Sequence, residues 1–283
     1  MKVSRIIVLS AVFLLCGLVA AFAGALEANP ESVVIQKEKG LIDWSQNFIE
    51  ASGMAVGPKG TSGAQARALA RRGAIVDLQR NLLEFVNGVQ VDARTVMDDF
   101  MAEDRVRTEV NGIIKNVEVL KGEWDGEAYT VTGRIRLAQI RTIVAPNIPV
   151  DKTAAVAAAE DKKQAAAPSA PKTSGRYTGL VIDVRHLPLV PSMTFRVFDE
   201  GGRAIYGMEF VDQTFFLQSG LCSYFHNINT ATGDPFVAPN PISAKAVRLA
   251  TNNVDIVIPN SAASRVRGSS YDFRREGKVI IVK

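Results

Sequence analysis

Residues 61–88 read TSGAQARALARRGAIVDLQRNLLEFVNG. Thr61 or Ser62 offers a side-chain oxygen to cap a helix, and Asn87-Gly88 is a pair that ends one. Between them Ala68, Ile75, Leu78, Leu82 and Phe85 recur at helical spacing, which predicts one long amphipathic helix reaching about Val86. Arg67, Arg71, Asp77, Arg80 and Glu84 fall mostly on its other faces. A helix with a single apolar stripe must bury that stripe against a second layer, so the neighbouring sequence should supply a sheet.

It does so on both sides. Upstream, Trp44 to Val56 reads as a strand that stops at Gly57-Pro58-Lys59-Gly60. That turn superficially resembles a phosphate-binding loop, but Lys59-Gly60-Thr61 inverts the Gly-Lys-Thr order needed to bring lysine and hydroxyl to one phosphate. Downstream, Thr95 to Val110 predicts a shorter helix with Val96, Phe100 and Met101 turned inward. Val117 to Leu120 and Tyr129 to Leu137 then alternate with period two around Asp125-Gly126, a strong hairpin pair. The first region is therefore expected to be α+β, a long helix packed on a small antiparallel sheet.

Residues 145–175, APNIPVDKTAAVAAAEDKKQAAAPSAPKTSG, hold Ala, Pro and Lys but no aromatic residue, and read as an extended linker. They divide the chain into a first region, 26–144, and a second, 176–283. The second region is expected to be strand-rich α+β. Leu180, Ile182 and Val184 alternate with Val181, Asp183 and Arg185. Met193, Phe195 and Val197 lead into a turn at Asp199-Glu200-Gly201-Gly202. Asp255 to Ile258 and Lys278 to Val282 are two compact apolar strands. Asn240-Pro241 predicts a helix through Leu249, and Asn260 or Ser261 caps another.

The N-terminus carries Lys2 and Arg5, an apolar run from Ile6 to Leu15, and overlapping A-x-A patterns at Ala21-Phe22-Ala23 and Ala23-Gly24-Ala25. This is the order of a cleavable secretory signal, residues 1–25, and implies a periplasmic or outer-membrane-associated protein. Cys16 lies inside the apolar run behind Leu15, not a small residue, and is expected to leave with the leader. Cys222 then remains as a single thiol, so the fold must rest on packing, not on a disulfide. Losing Lys2 and Arg5 lowers the formal charge from +4 to +2, too small a surplus for a nucleic-acid surface.

Residues 43–137 resemble the Lpp-twenty lipoprotein family of envelope proteins. The resemblance rests on Asp43-Trp44, on Ile49 to Gly53, and on Ala64 to Arg72. It continues through Ala74 to Asp77, Gln79 to Glu84, and Gly88-Val89-Gln90-Val91. Trp124-Asp125-Gly126 and the strand Tyr129 to Leu137 complete it. It implies an envelope-associated, lipoprotein-like, non-enzymatic module, with relatives in surface lipoproteins and in the outer-membrane-associated rings of bacterial flagella. The chain departs from the family in lacking a lipobox cysteine, so lipid anchoring is not implied.

Chemistry-bearing patterns are sparse. Cys222 and His226 are four apart, and with His186 they fall short of the four ligands of a structural zinc site. There is no Gly-x-Ser-x-Gly elbow, and Ser243-Ala244-Lys245 has the wrong offset for a Ser-x-x-Lys pair. No cofactor is expected, and the chain is read as no enzyme. Asp98, Asp99, Glu103 and Asp104 form an acidic patch. Arg265, Arg267, Arg274, Arg275, Lys278 and Lys283 gather near the C-terminus, facing anionic headgroups, peptidoglycan or an acidic partner. The reading is a structural or interaction protein whose first region assembles while a tethered second region reaches other envelope proteins. Arg71, Arg72 and Arg80 of one copy are expected to meet Asp98, Asp99 and Asp104 of the next. The alternative is a peptidoglycan- or glycan-binding module, with Tyr206, Tyr224 and Tyr271 as candidate stacking faces.

Overall fold

The computed structural model of the chain describes residues 32–148 and 175–283. The expected leader and residues 149–174 of the expected linker lie outside them. The first region runs β1 (Val34–Lys37), β2 (Gly40–Asp43), β3 (Phe48–Val56), α1 (Gly63–Asn87), α2 (Met97–Phe100), α3 (Asp104–Lys115), β4 (Glu118–Trp124), β5 (Ala128–Arg136) and α4 (Leu137–Val144). Its five strands form one antiparallel sheet in the order β1-β2-β3-β5-β4, with α1 laid across one face. The region is α+β.

The helix face that meets the sheet is built from smaller residues than the sequence suggests. Leu78, Leu82 and Phe85 are buried as expected, but Ala66, Ala70 and Ala74 make up the rest of the stripe, and Ala68 is exposed. Alanine occurs on every side of this half of the helix, so periodicity cannot choose among its faces. The choice is made by close approach. At Gly53 of β3 a β-carbon would overlap the Leu78 amide nitrogen and the Ala74 carbonyl. α1 also completes the edge of β3 that β2 is too short to cover. Asn81 Nδ2 donates to the Ser52 carbonyl at 2.7 Å, and the Met54 amide donates to Asp77 Oδ2 at 3.0 Å. Asp77 thus reaches the sheet edge while staying partly exposed.

Other boundaries differ too. Trp44 lies in a turn with Asn47 in the left-handed region, and the strand begins at Phe48. The segment Thr95 to Val110 is two helices broken at Met101–Glu103. Leu137 ends no strand but opens α4, and Ala145 and Ile148, placed in the linker by composition, are buried against the core.

The second region holds β6 (Gly179–Asp183), β7 (Val197–Phe198), β8 (Ala204–Tyr206), α5 (Gln213–Ser219), β9 (Ser223–Phe225), α6 (Ile228–Gly233), β10 (Pro241–Lys245), β11 (Arg248–Ala250), β12 (Asp255–Val257), α7 (Asn260–Gly268) and β13 (Val279–Val282). It too is α+β. One sheet is parallel, in the order β10-β6-β13-β9, and a mixed sheet runs β11-β12-β7-β8. β6 and β13 are buried on both faces, Val181 as fully as Leu180, which suits apolar strands central to a parallel sheet. The expected helix from Pro241 to Leu249 is instead β10 and β11. Proline costs little there, as the first residue of an edge strand whose partner is β6. The aromatic pair Phe215-Phe216 lies in α5, with Phe216 buried.

The two regions share one hydrophobic core. Trp44 meets Tyr224 edge to face at 6.0 Å between centroids, and Ser45 Oγ donates to the Tyr224 carbonyl at 2.7 Å. The Met193 and Thr194 amides donate to the Gln90 and Val91 carbonyls at 2.9 and 2.8 Å. Arg141 crosses from α4, donating to Asn47 Oδ1 at 2.9 Å and to the Gln218 carbonyl at 3.0 Å. The second region is docked, not merely tethered.

Candidate functional site

Arg71, Arg72 and Arg80 stand exposed on α1, and none has a hydrogen-bond or ion-pair partner among the described residues. The acidic patch is less uniform than it reads. Asp99 Oδ2 accepts the Val96 amide at 2.8 Å and so caps α2. Glu103 accepts from Asn147 at 3.0 Å and lies 3.5 Å from Arg105, while Asp104 lies 3.2 Å from Arg107. Asp98 is exposed and uncommitted among the described residues. No ion pair links the α1 arginines to this patch within the chain, which leaves both sides open to another molecule.

Four members of the C-terminal basic cluster are spent on ion pairs within the chain. Arg274 is buried, bonded through Nε to Asp272 Oδ1 at 2.7 Å, and lies over the Phe210 ring at 4.7 Å. It is a core cation, not a docking residue. Arg275 is exposed but paired with Asp212 at 3.1 Å, Arg267 with Asp199 at 2.8 Å, and Lys278 with Glu276 at 3.0 Å. The Tyr271 hydroxyl donates to Glu276, holding that carboxyl below its usual range.

The expected stacking faces are also internal. Tyr206 and Tyr224 are buried, and Tyr271 is half-buried between Arg176 and Lys278. Cys222 is buried, its thiol pushed up to about 12 by that burial, and His226 is exposed against the Lys283 carbonyl. Among the described residues no three His, Cys, Asp or Glu side chains converge as a metal site.

Two features escaped sequence reasoning. The first is a cleft of about 240 Å³ where the regions meet, lined by Asp92, Arg94, Thr194, Arg196, Glu209 and Asp255 among others. Asp255 is buried, which raises its carboxyl pKa. Its Oδ1 accepts the Arg196 amide at 2.8 Å, and Arg196 lies 3.8 Å from Oδ2. Its residues come from segments more than 100 positions apart, so no local motif announces it. The second is β4, which bonds only to β5 and forms one end of the sheet. It is exposed from Glu118 to Glu123, with Val119 at 42% and Leu120 at 45% exposure. The sheet face turned away from α1 is also open, and carries Met54 and Val56.

A family model for the second domain of Treponema pallidum Tp0624 matches residues 179–283. The match runs from the first residue of β6 to the end of the chain, which is most of the second region and well under half of the protein. No curated protein matches the sequence. Among the described residues no helix is long and apolar enough to cross a membrane.

Proposed function

We propose that this protein is a non-enzymatic structural or interaction protein of the bacterial envelope. It is exported by its leader to the periplasm or the outer-membrane surface and assembles there, with itself and with other envelope proteins, in a flagellar or another outer-membrane-associated complex. The observation that carries this reading is on α1, where Arg71, Arg72 and Arg80 stand exposed and make no ion pair among the described residues. Exposed charges that make no ion pair within their own chain are available to an acidic neighbour, of which Asp98 on a second copy is one. The resemblance to the Lpp-twenty family points the same way. With Tyr206 and Tyr224 internal, the glycan-binding alternative lacks the stacking faces that would favour it.

Crosslinking in intact cells, followed by mass spectrometry of what is captured, tests the reading. Envelope proteins or further copies of this chain should dominate, and the double substitution Arg71→Glu, Arg72→Glu should deplete them. Capture that is unchanged by the double substitution would remove the arginine face from the account. Export has its own readout: intact mass should place the mature N-terminus at Gly24 or Leu26. A retained Met1 or a diacyl group on Cys16 would exclude the cleaved, unlipidated form.

A further inference from the structure

We propose that two copies of this chain pair edge to edge through β4, antiparallel, on a two-fold axis centred at Gly122. The proposal rests on the assembly reading and deepens it by naming one interface, but different side chains test it.

β4 ends its sheet, so alternate backbone amides and carbonyls along it face away from β5. A second strand can add there, and an edge that meets its own copy closes into a dimer and leaves no further edge exposed at that place. Edge strands carry lysines and bulges that discourage indiscriminate pairing, and β4 has both. Lys121 is exposed, and the register against β5 slips between Val119 and Lys121. These features reject most registers and leave one. An axis through Lys121 sets that ammonium against its own copy. An axis between Leu120 and Lys121 sets Glu118 against Glu123. An axis through Gly122 sets Lys121 of each chain against Glu123 of the other, twice, and Leu120 against Trp124. It also sets two residues without side chains face to face at the centre.

The geometry of the free edge suits this arrangement. Lys121 lies opposite Thr132 and Glu123 opposite Thr130, so both charges project on the sheet face that α1 leaves open. They already touch within one strand at 2.8 Å, with side chains 66% and 65% exposed, so both can turn to a partner without losing a buried contact. One other register joins opposite charges, Glu118 with Lys121, about an axis between Val119 and Leu120. It brings the two bulges together at the centre of the ladder, where strand pairing is broken.

Sedimentation velocity on the full chain, expressed with its own leader, tests the proposal over a range of concentrations. The unmodified chain should show a monomer–dimer equilibrium. Lys121→Glu and Glu123→Lys should each weaken it roughly ten-fold or more, since both facing pairs become like-charged. An equimolar mixture of the two variants should dimerise again, because every facing pair then joins opposite charges. Both side chains are exposed, so unchanged circular dichroism and melting temperature check that each variant folds. A strict monomer, a dimer that survives both reversals, or a mixture no stronger than its components would overturn the pairing. Sensitivity to Lys121→Glu alone would overturn the register. The assembly reading is decided separately, by the partners captured in cells and by the Arg71, Arg72 substitutions.

Discussion

Gly53 shows how one residue sets the distance between two layers. A β-carbon there would meet the backbone of α1 at Ala74 and Leu78, not the end of a flexible side chain, so nothing can swing aside. Gly53→Ala should therefore push α1 off the sheet and destabilise the protein by about 3 kcal/mol, read as a lower urea midpoint. Gly112→Ala is the control. Gly112 lies within α3 with no atom near its missing β-carbon, and alanine there should stabilise by roughly 0.5–1 kcal/mol. A second set of residues governs alkaline stability. Burial raises the pKa of Cys222 from 9.0 to about 12, and raises those of Tyr206 and Tyr224. A folded-state pKa above the unfolded one gives stability that is intact below the unfolded value and lost as pH climbs through the folded one. Arg141, pushed down to about 10 by burial, opposes this, since the unfolded chain holds its proton longer and stability rises with pH there. Three groups against one predict a melting temperature that falls above about pH 9. Cys222→Ala should flatten part of that fall, and an unchanged slope would count against the buried thiol.

At the scale of the element, neighbouring charges that look alike in the sequence do different work. Asp98 and Asp99 are adjacent carboxylates, yet only Asp99 closes the first turn of α2 through the Val96 amide. Asp99→Ala should cost about 1 kcal/mol of stability, the usual size of a lost helix cap, while Asp98→Ala should leave stability unchanged and weaken only assembly. Thermal melts of the two variants separate these outcomes. The same lesson holds for α1. Its existence and C-terminal end were legible from Asn87-Gly88 and from Leu78, Leu82 and Phe85, whose bulk marks a core face, while the side-chain cap expected at Thr61 or Ser62 is not formed. Its alanine half was not legible, because Ala66, Ala68 and Ala70 are equally apolar and only the glycine of β3 selects which of them can approach.

For the whole molecule, the shared core changes what the linker can do. Tryptic cleavage among Lys152, Lys162, Lys163 and Lys172 is expected to yield two fragments, as composition alone suggests. They should nevertheless elute together on gel filtration, held by the Trp44–Tyr224 contact, by Arg141, and by the main-chain bonds from Met193 and Thr194 to Gln90 and Val91. Separate elution of the two fragments under native conditions would show that the docking does not persist without the covalent join. Because Trp44 is buried at this junction, its fluorescence should shift in the same transition that unfolds either half.

The amino-acid sequence by itself determined the features that depend on near neighbours. These are the long helix, the hairpin at Asp125-Gly126, the apolar strands β6, β12 and β13, and the division into two α+β regions. The elements rest on periodicity or turn chemistry within a few residues, and the division on the composition of residues 145–175. Only the tertiary structure decided which alanines α1 buries, that Pro241 to Ala250 forms strands rather than a helix, and that Arg274 is a core cation. It alone decided that the two regions close around Arg141 and leave a cleft at Asp255. The alanines are chosen by Gly53, about 20 positions upstream, and the rest depend on a longer reach. The pairing of β10 with β6, the burial of Arg274 and the docking of one region on another are set by groups about 60 to 180 positions away along the chain. Such contacts leave no pattern in the residues next door.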